Sequence, residues 1–331
     1  MPNTLIHLAV QGSASAGALR IAPRLRRETW AWDWPLILLG AVLPDLPWIV
    51  QRVLRTTLLR FGVASTPEGD PIFYDLRLFA GVQSSLAFCL LLAAACALVT
   101  RRPSRCFFVL GVGALLHLLL DATQIKWANG VLLLAPFDWR LFRFDWLWPE
   151  HALIPWLSLM SFCGVAALVW RISPPEERLL AWGSRHRRRR FAALLLLALY
   201  LLGPLALAGR LEASGAYSIS ALRSERVGEP VELGTAWVFE SEEPSGGPTG
   251  PAILSMRTMS ERWLRLDAGS PVALAPGRWS VRGELIERDG GIALHVTDAH
   301  LHPRRLREYS SILGLVIVSA VWLRFAARLR H

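Results

Sequence analysis

A histidine and an aspartate four residues apart stand inside an apolar run, in the stretch LLHLLLDATQ at residues 115–124. The spacing puts His117 and Asp121 one turn apart on the same helical face. Ionisable side chains are costly in a lipid-buried helix, so they usually face a bundle interior, a partner or a bound ion. Imidazole and carboxylate are typical ligands of Zn²⁺, Mn²⁺ or Fe²⁺, and such an ion activates water for attack on an ester or phosphoester. The pair therefore indicates half of a metal site, with a structural hydrogen-bonded pair as the alternative.

The elements that would position this site are membrane helices. The chain has 331 residues, is 53% hydrophobic and has a mean hydropathy of +0.36, which is too apolar for an ordinary soluble domain. We predict about seven spans, most of them near the ~20 residues that a bilayer requires. The weakest is 4–19, which lacks the basic start of a signal peptide. The others are 34–54, 79–99, 106–124, 150–170, 191–209 and 308–327.

Arginine clusters orient these spans by the positive-inside rule. Four clusters mark the cytoplasmic side, within residues 20–27, 101–105, 185–190 and 324–330. They predict an outside N-terminus and a cytoplasmic C-terminus in a multi-pass protein of a bacterial inner membrane. The bacterial source is inferred from the arginine bias, since Lys126 is the chain's one lysine. Arg52, Arg55 and Arg60 would then lie outside, against the rule.

The alternation of the spans gathers four polar residues in the outer half of the membrane. These are His7, Asp45, His117 and Asp121, and we predict them as the metal ligands, with zinc favoured over manganese or iron. Pro44 and Pro47 should break the helix around Asp45. A carboxylate outside the ligand set would act as general base, and the candidates are Asp75, Asp138 and Glu150. Further candidate site positions are Ser84, Gln124 and His151.

The loop 125–149 carries four tryptophans among Arg and Asp residues, at positions 127, 139, 146 and 148. That mixture suits a segment lying in the outer membrane interface. The loop would then form either a lid over the polar cluster or an anchoring belt. The four cysteines show no metal-binding spacing and are interpreted as small core residues; they are Cys89, Cys96, Cys106 and Cys163.

A β-rich domain follows the sixth apolar run, at residues 210–306. Alternating stretches such as VELGTAWVFES and RWSVRGELIERDGGIALHVTDAHL indicate strands, with ERDGG as a hairpin turn. The late pattern suggests a small barrel of the oligonucleotide/oligosaccharide-binding type. Nucleic-acid binding is not expected, because no basic stripe alternates with stacking aromatics. His300 and His302 share a strand face, and we expect both to face solvent.

Four stretches resemble the bacterial membrane-bound metal-dependent hydrolase family, described as LexA-binding, inner-membrane-associated hydrolases. They are NTLIHLA, LGAVLPDLPWI, LLHLLLDATQ and GVLLLAPFDW, within roughly the first 170 residues. The resemblance implies a helical membrane fold and a metal site at His7, Asp45, His117 and Asp121. The chain departs from the family pattern at Pro47 and Trp48, which replace an acid and a histidine, and at Ser84, which replaces another histidine. These losses disfavour a site with two metals.

The sequence thus predicts a polytopic α-helical bundle with an inserted extracytoplasmic β domain. The divisions are 1–209 for the helical domain, 210–306 for the β domain, and 307–331 for a last span with a basic cytoplasmic tail. The leading hypothesis is a metal-dependent hydrolase acting near the outer leaflet on a lipid-linked or phosphoester substrate. The alternative is a catalytically degenerate scaffold whose β domain binds a partner protein or envelope component. Transport is disfavoured, because the spans show no inverted repeat.

Overall fold

The computed structural model describes most of the helical core and the β domain. The described residues are 7, 8, 10, 11, 30–62, 71–128, 130–148, 151, 156, 160, 187–217, 222, 223, 225–240, 254–258, 263–288, 290–302 and 306–328. Most of the predicted runs 4–19 and 150–170 lies outside them, as do Glu150 and Cys163. The helices are α1 (Trp30–Val42), α2 (Leu46–Arg60), α3 (Pro71–Gln83), α4 (Leu86–Leu98), α5 (Pro103–Ala122), α6 (Arg187–Ala213) and α7 (Leu306–Arg328).

Several of these helices are long and apolar enough to cross a membrane. Within the described residues they are Leu36–Arg60, Pro103–Ala122 and Arg187–Ala213, and the bent pair α3 and α4 qualifies as a fourth if it is one span. The described part therefore supports three or four spans, consistent with membrane localisation. That is fewer than the seven predicted, two of which fall mostly outside the described residues. The run 308–327 does form a helix, α7, but α7 is not among these candidates.

Two predicted spans are interrupted where their sequences contain helix-breaking or polar residues. A 3-10 turn at Leu43–Asp45 separates α1 from α2, with Pro44 inside it. The predicted run 79–99 is not one straight helix, because α3 and α4 meet at 69°. Ser85 stands between them with an extended backbone, at φ −68° and ψ 157°. Both breaks coincide with buried polar side chains, Asp45 at the first and Gln83 and Ser85 at the second.

Helices α1 and α5 approach closely through glycines, which places the central polar residues. A Cβ on Gly113 would lie 3.0 Å from the Cα of Gly40 and 3.1 Å from Oε1 of Gln11. Small residues allow such backbone contact between membrane helices. Gln11 also donates from Nε2 to the Gly113 carbonyl, at 2.8 Å. Cys89 and Cys106 pack in the adjoining apolar core as predicted.

The β domain is a small barrel-like sheet of five described strands. They are β1 (Pro230–Glu240), β2 (Leu254–Arg257), β3 (Trp263–Leu266), β4 (Gly277–Arg288) and β5 (Gly291–Leu301). The order around the barrel is β1-β2-β3-β5-β4, and β1 pairs with β4 to close it. All pairings are antiparallel except β3 with β5. The prediction of a barrel-like β domain is confirmed.

The barrel is packed directly on the helical part. One apolar core joins Tyr74 and Leu78 of α3 and Leu211 of α6 with Val231 and Val281 of the barrel. At Gly234 the barrel backbone meets the loop after α5 so closely that a Cβ would lie 2.6 Å from the Trp127 carbonyl oxygen. The barrel and the loop therefore form one continuous packed unit.

A carboxylate on the barrel anchors this loop. Glu232 accepts hydrogen bonds from the Ala128 backbone N–H at 3.0 Å and from the Arg143 guanidinium at 2.7 Å. Its other oxygen pairs with the Arg282 guanidinium at 2.9 Å. Partial burial opposes the charged form of Glu232, but the Ala128 N–H and the two guanidinium groups outweigh it, so the pKa of this carboxyl lies below its usual range.

The Glu232 contacts should make the stability of the protein sensitive to acid. Because the pKa of Glu232 is lowered in the folded protein, its stabilising effect is full above the ordinary glutamate pKa of about 4.3. That effect is lost as the pH falls through the lowered folded value. We expect the thermal midpoint of the wild type to fall more steeply on acidification than that of Glu232→Gln. Glu284→Gln, at an exposed position of β4, is the control and should keep the wild-type slope.

Candidate metal centre

His117 is held by the break between α1 and α2. It lies in the last turns of α5 and is fully buried. Its Nδ1 lies 2.6 Å from the carbonyl oxygen of Ala41. A carbonyl oxygen only accepts, so Nδ1 carries the proton and donates, and the lone pair of the neutral ring is on Nε2. Nε2 faces the carboxylate of Asp45, whose Oδ1 is 3.3 Å away.

His7 and Asp121 complete a compact group with His117. The two imidazole rings stack, with centroids 3.7 Å apart and planes 8° from parallel. Asp121 Oδ1 lies 3.3 Å from Nε2 of His7 and 3.9 Å from Nε2 of His117. One ligand atom from each of the three residues lies within 4.8 Å of the other two. Asp45 lies beside this triad, next to His117. The four predicted ligands therefore lie close together, but only three of them form the triad.

The chemistry of the triad fits a divalent cation. Among the described residues, Nε2 of His7, Nε2 of His117 and Oδ1 of Asp121 are buried without a hydrogen-bond partner. Unpaired polar atoms in a buried site are costly, and neighbouring lone pairs repel one another unless a cation lies between them. Ligands of one tetrahedral zinc ion lie roughly 3.3–3.5 Å apart, given bonds of about 2.0–2.2 Å. The separations of 3.3 and 3.9 Å are near that range. The hydrogen bond to Ala41 is also the kind that orients metal-binding histidines.

Lys126 is a member of the site that the sequence did not reveal. Its Nζ lies 3.1 Å from Oδ2 of Asp121, and both side chains are largely buried. The ammonium group therefore neutralises one carboxylate oxygen and leaves the other toward the histidines. A signal was present in the sequence, since this is the one lysine among 36 basic residues.

A cavity of about 330 Å³ adjoins the triad. His117, Asp121 and Asp45 line it on the helical side, together with Lys126. The loop after α5 forms one wall through Trp127 and the residues 130–132. The barrel forms another wall, through Thr235 and Ser280 in its strands and His302 just after β5. The cavity therefore gives the triad room for a small molecule.

Some other predicted site residues lie near this cavity. Ser84 lines it, and its hydroxyl donates to the Gly81 carbonyl at 2.9 Å. Gln124 is buried just beyond Asp121, with its side-chain oxygen lacking a hydrogen-bond partner among the described residues. The break between α3 and α4, which the sequence did not predict, thus contributes a hydroxyl to the cavity wall.

The predicted general bases are placed differently. Asp75 forms an ion pair with Arg223 at 3.0 Å and is largely exposed. Asp138 accepts a hydrogen bond from the Arg140 backbone N–H and is not among the described residues that line the cavity. His151 is exposed, and Glu150 lies outside the described residues. Of the carboxylates considered, Asp45 and Asp121 line the cavity.

His302 differs from the sequence-based expectation. It was predicted to face solvent, but it is buried and lines the cavity. Its Nε2 lies 2.8 Å from the Ser280 hydroxyl. His300 stacks on Trp148, with ring centroids 3.6 Å apart. The prediction failed because Trp148 of the preceding loop packs on His300 and His302, and strand alternation alone does not show what packs on the face of a strand.

In comparisons with known proteins, no family model, curated protein or solved structure matches the chain.

Proposed function

We propose that the protein is a membrane-bound metal-dependent hydrolase acting near the outer leaflet of a bacterial inner membrane. The observation that carries the proposal is that ligand atoms of His7, His117 and Asp121 lie within 4.8 Å of one another beside a cavity. The proposal agrees with the family resemblance of the first 170 residues. For the β domain, we propose the barrel type suggested by the sequence. The strand order and the parallel β3–β5 pair support an oligonucleotide/oligosaccharide-binding barrel.

In this proposal the residues of the site have three roles: metal ligand, general base and support of a ligand. His7, His117 and Asp121 would hold one divalent ion, with zinc favoured over manganese or iron. Such an ion supplies Lewis-acid activation of an ester or phosphoester and of a water molecule. Asp45 is the carboxylate best placed to take a proton from water, because it lines the cavity beside His117. Lys126 holds Asp121 in position through Oδ2.

The test is the metal content of the full-length protein purified in detergent, measured by elemental mass spectrometry. We expect about one transition-metal ion per chain in the wild type and less than about a tenth of that in His117→Ala, since structural and catalytic ions depend on each ligand. His151→Ala is the matched control, because His151 was also a candidate but is exposed. It should keep the wild-type content.

An equal metal content in wild type and His117→Ala would contradict the proposal. No metal in either protein would favour the second candidate, a catalytically degenerate scaffold whose barrel binds an envelope component. One observation supports that candidate: Lys126 already neutralises Asp121 from the Oδ2 side, so the carboxylate has a cationic partner without a metal. In that case a doubly protonated His117 would serve as a structural cation, donating from Nδ1 to Ala41 and facing the Asp45 carboxylate with Nε2.

A further inference from the structure

The cavity beside the triad has a marked excess of positive charge. Its described lining includes five basic side chains and two carboxylates, those of Asp45 and Asp121. The basic residues are Arg52, Arg55, Arg77, Lys126 and Arg278. A cleft lined by one sign of charge concentrates ligands of the opposite sign. A divalent ion at the triad would add to this field, so the cavity is suited to an anion.

The placement of Arg52 and Arg55 explains an anomaly of the sequence. In the predicted orientation these arginines of α2 would lie outside, against the positive-inside rule. They are three residues apart, so they share one face of the helix, and both line the cavity. Arg60, at the end of the same helix, is exposed and is not among the described lining residues. Two of the three exceptions to the rule therefore belong to the site.

Arg77 offers a hydrogen-bond donor at the cavity wall. Its Nη2 donates to the Ala128 carbonyl at 3.2 Å, and its guanidinium lies 6.0 Å from the Tyr217 ring centre. Its Nε–H is buried without a hydrogen-bond partner among the described residues. A guanidinium donates in a planar fork that matches phosphate and carboxylate oxygens. An anionic oxygen in the cavity would satisfy the unpaired N–H.

One side of the same cavity is apolar and faces outward. Trp48 and Val53 of α2 and Ile312 and Leu315 of α7 contribute to it. Val53 is 59% exposed and Ile312 is 58% exposed. Helix α2 belongs to the candidate membrane span Leu36–Arg60, so the exposed apolar side chains on this side of the cavity would contact lipid. A ligand in this cavity can therefore place a charged group near the arginines and an apolar chain toward the bilayer.

We propose that the cavity binds an amphiphilic phosphoester, with its phosphate held by Arg52 and Arg77 and its apolar part against Trp48 and Ile312. This names the substrate class of the proposed hydrolase, and its catalytic meaning rests on that proposed function. The recognising chemistry is the phosphate group, which a lipid and free phosphate share. The apolar wall favours the lipid.

The test uses the full-length protein in a neutral detergent and isothermal titration calorimetry with three probes. They are dioctanoyl phosphatidic acid, inorganic phosphate and uncharged dioctanoylglycerol. We expect phosphatidic acid to bind at least about tenfold more tightly than either of the other two probes. It is the one probe of the three with both a phosphate for the arginines and acyl chains for the apolar wall. Inorganic phosphate binding as tightly as phosphatidic acid, or dioctanoylglycerol doing so, would overturn the proposal.

Arg52→Gln provides the residue-level test, since Arg52 is exposed at the rim and its loss leaves the bundle core intact. We expect it to weaken phosphatidic acid binding about tenfold, the typical effect of losing a charge-assisted hydrogen bond. Arg60→Gln, on the same helix, should bind like the wild type. Equal binding by Arg52→Gln and the wild type overturns the assignment.

Metal content separates this inference from the proposed function. Arg52→Gln should keep its metal while losing phosphatidic acid affinity, and His117→Ala should lose its metal. If no protein contains metal but phosphatidic acid still binds through Arg52, the hydrolase proposal fails and the anion site stands. If metal is present but Arg52→Gln binds normally, the hydrolase proposal stands and this inference fails.

Discussion

Asp121→Asn is expected to abolish the proposed metal binding and to destabilise the protein at the same time. The carboxylate contacts the two histidines through Oδ1 and Lys126 through Oδ2. The amide keeps the shape of the side chain but not its charge. Lys126, which is largely buried, is then left without its anion. Removing one partner of a buried ion pair costs roughly 3–5 kcal/mol in the free energy of unfolding.

A second substitution separates the two effects. Lys126→Met in the Asp121→Asn background removes the uncompensated ammonium group, so the thermal midpoint should recover much of the loss. Metal content should stay low in both variants, because the ligand is still missing. Thermal unfolding and elemental mass spectrometry on the same detergent preparations measure both quantities. Recovery of stability together with recovery of metal would show that Asp121 is not a ligand.

Gly113→Ala is expected to have the second large effect, although position 113 is a full helical turn from His117. The new Cβ would lie 3.0 Å from the Gly40 Cα, so α1 and α5 must move apart. That movement changes the contact of His117 with Ala41 and with Asp45, which α1 and the following turn hold in place. Overpacking of this kind costs about 1–3 kcal/mol in stability, and we expect at least about tenfold weaker metal binding in a chelator competition.

Gly111→Ala is the matched control for this helix contact. A Cβ there would meet the end of the Leu90 side chain at 3.0 Å. A leucine can turn away at small cost, whereas the backbone of Gly40 cannot. Metal affinity and thermal midpoint should therefore be close to wild type. If Gly111→Ala weakens metal binding as much as Gly113→Ala, the close approach of α1 and α5 does not position the site.

The sequence identified the polar residues of the candidate site because polar residues in apolar helices are few. His117 and Asp121 stand out by type and spacing, and the predicted alternation of spans would bring His7 and Asp45 to the same depth. The structure places these four residues together. The β domain was equally visible, because strand alternation and turn residues are local signals.

The tertiary structure decided what local patterns do not encode. Whether Asp45 joins the triad or flanks it depends on the 3-10 turn and on the glycine contact between α1 and α5. The burial of His302 depends on the loop 125–148, which reaches the barrel through Glu232 and Gly234. Lys126 and the cavity arginines join the site through packing between segments far apart in the chain. The residues of the centre could thus be identified from the sequence, because an ionisable side chain in an apolar helix is costly to bury and is kept there only with a partner or a ligand. Their partners follow from long-range packing, which no single stretch of sequence specifies.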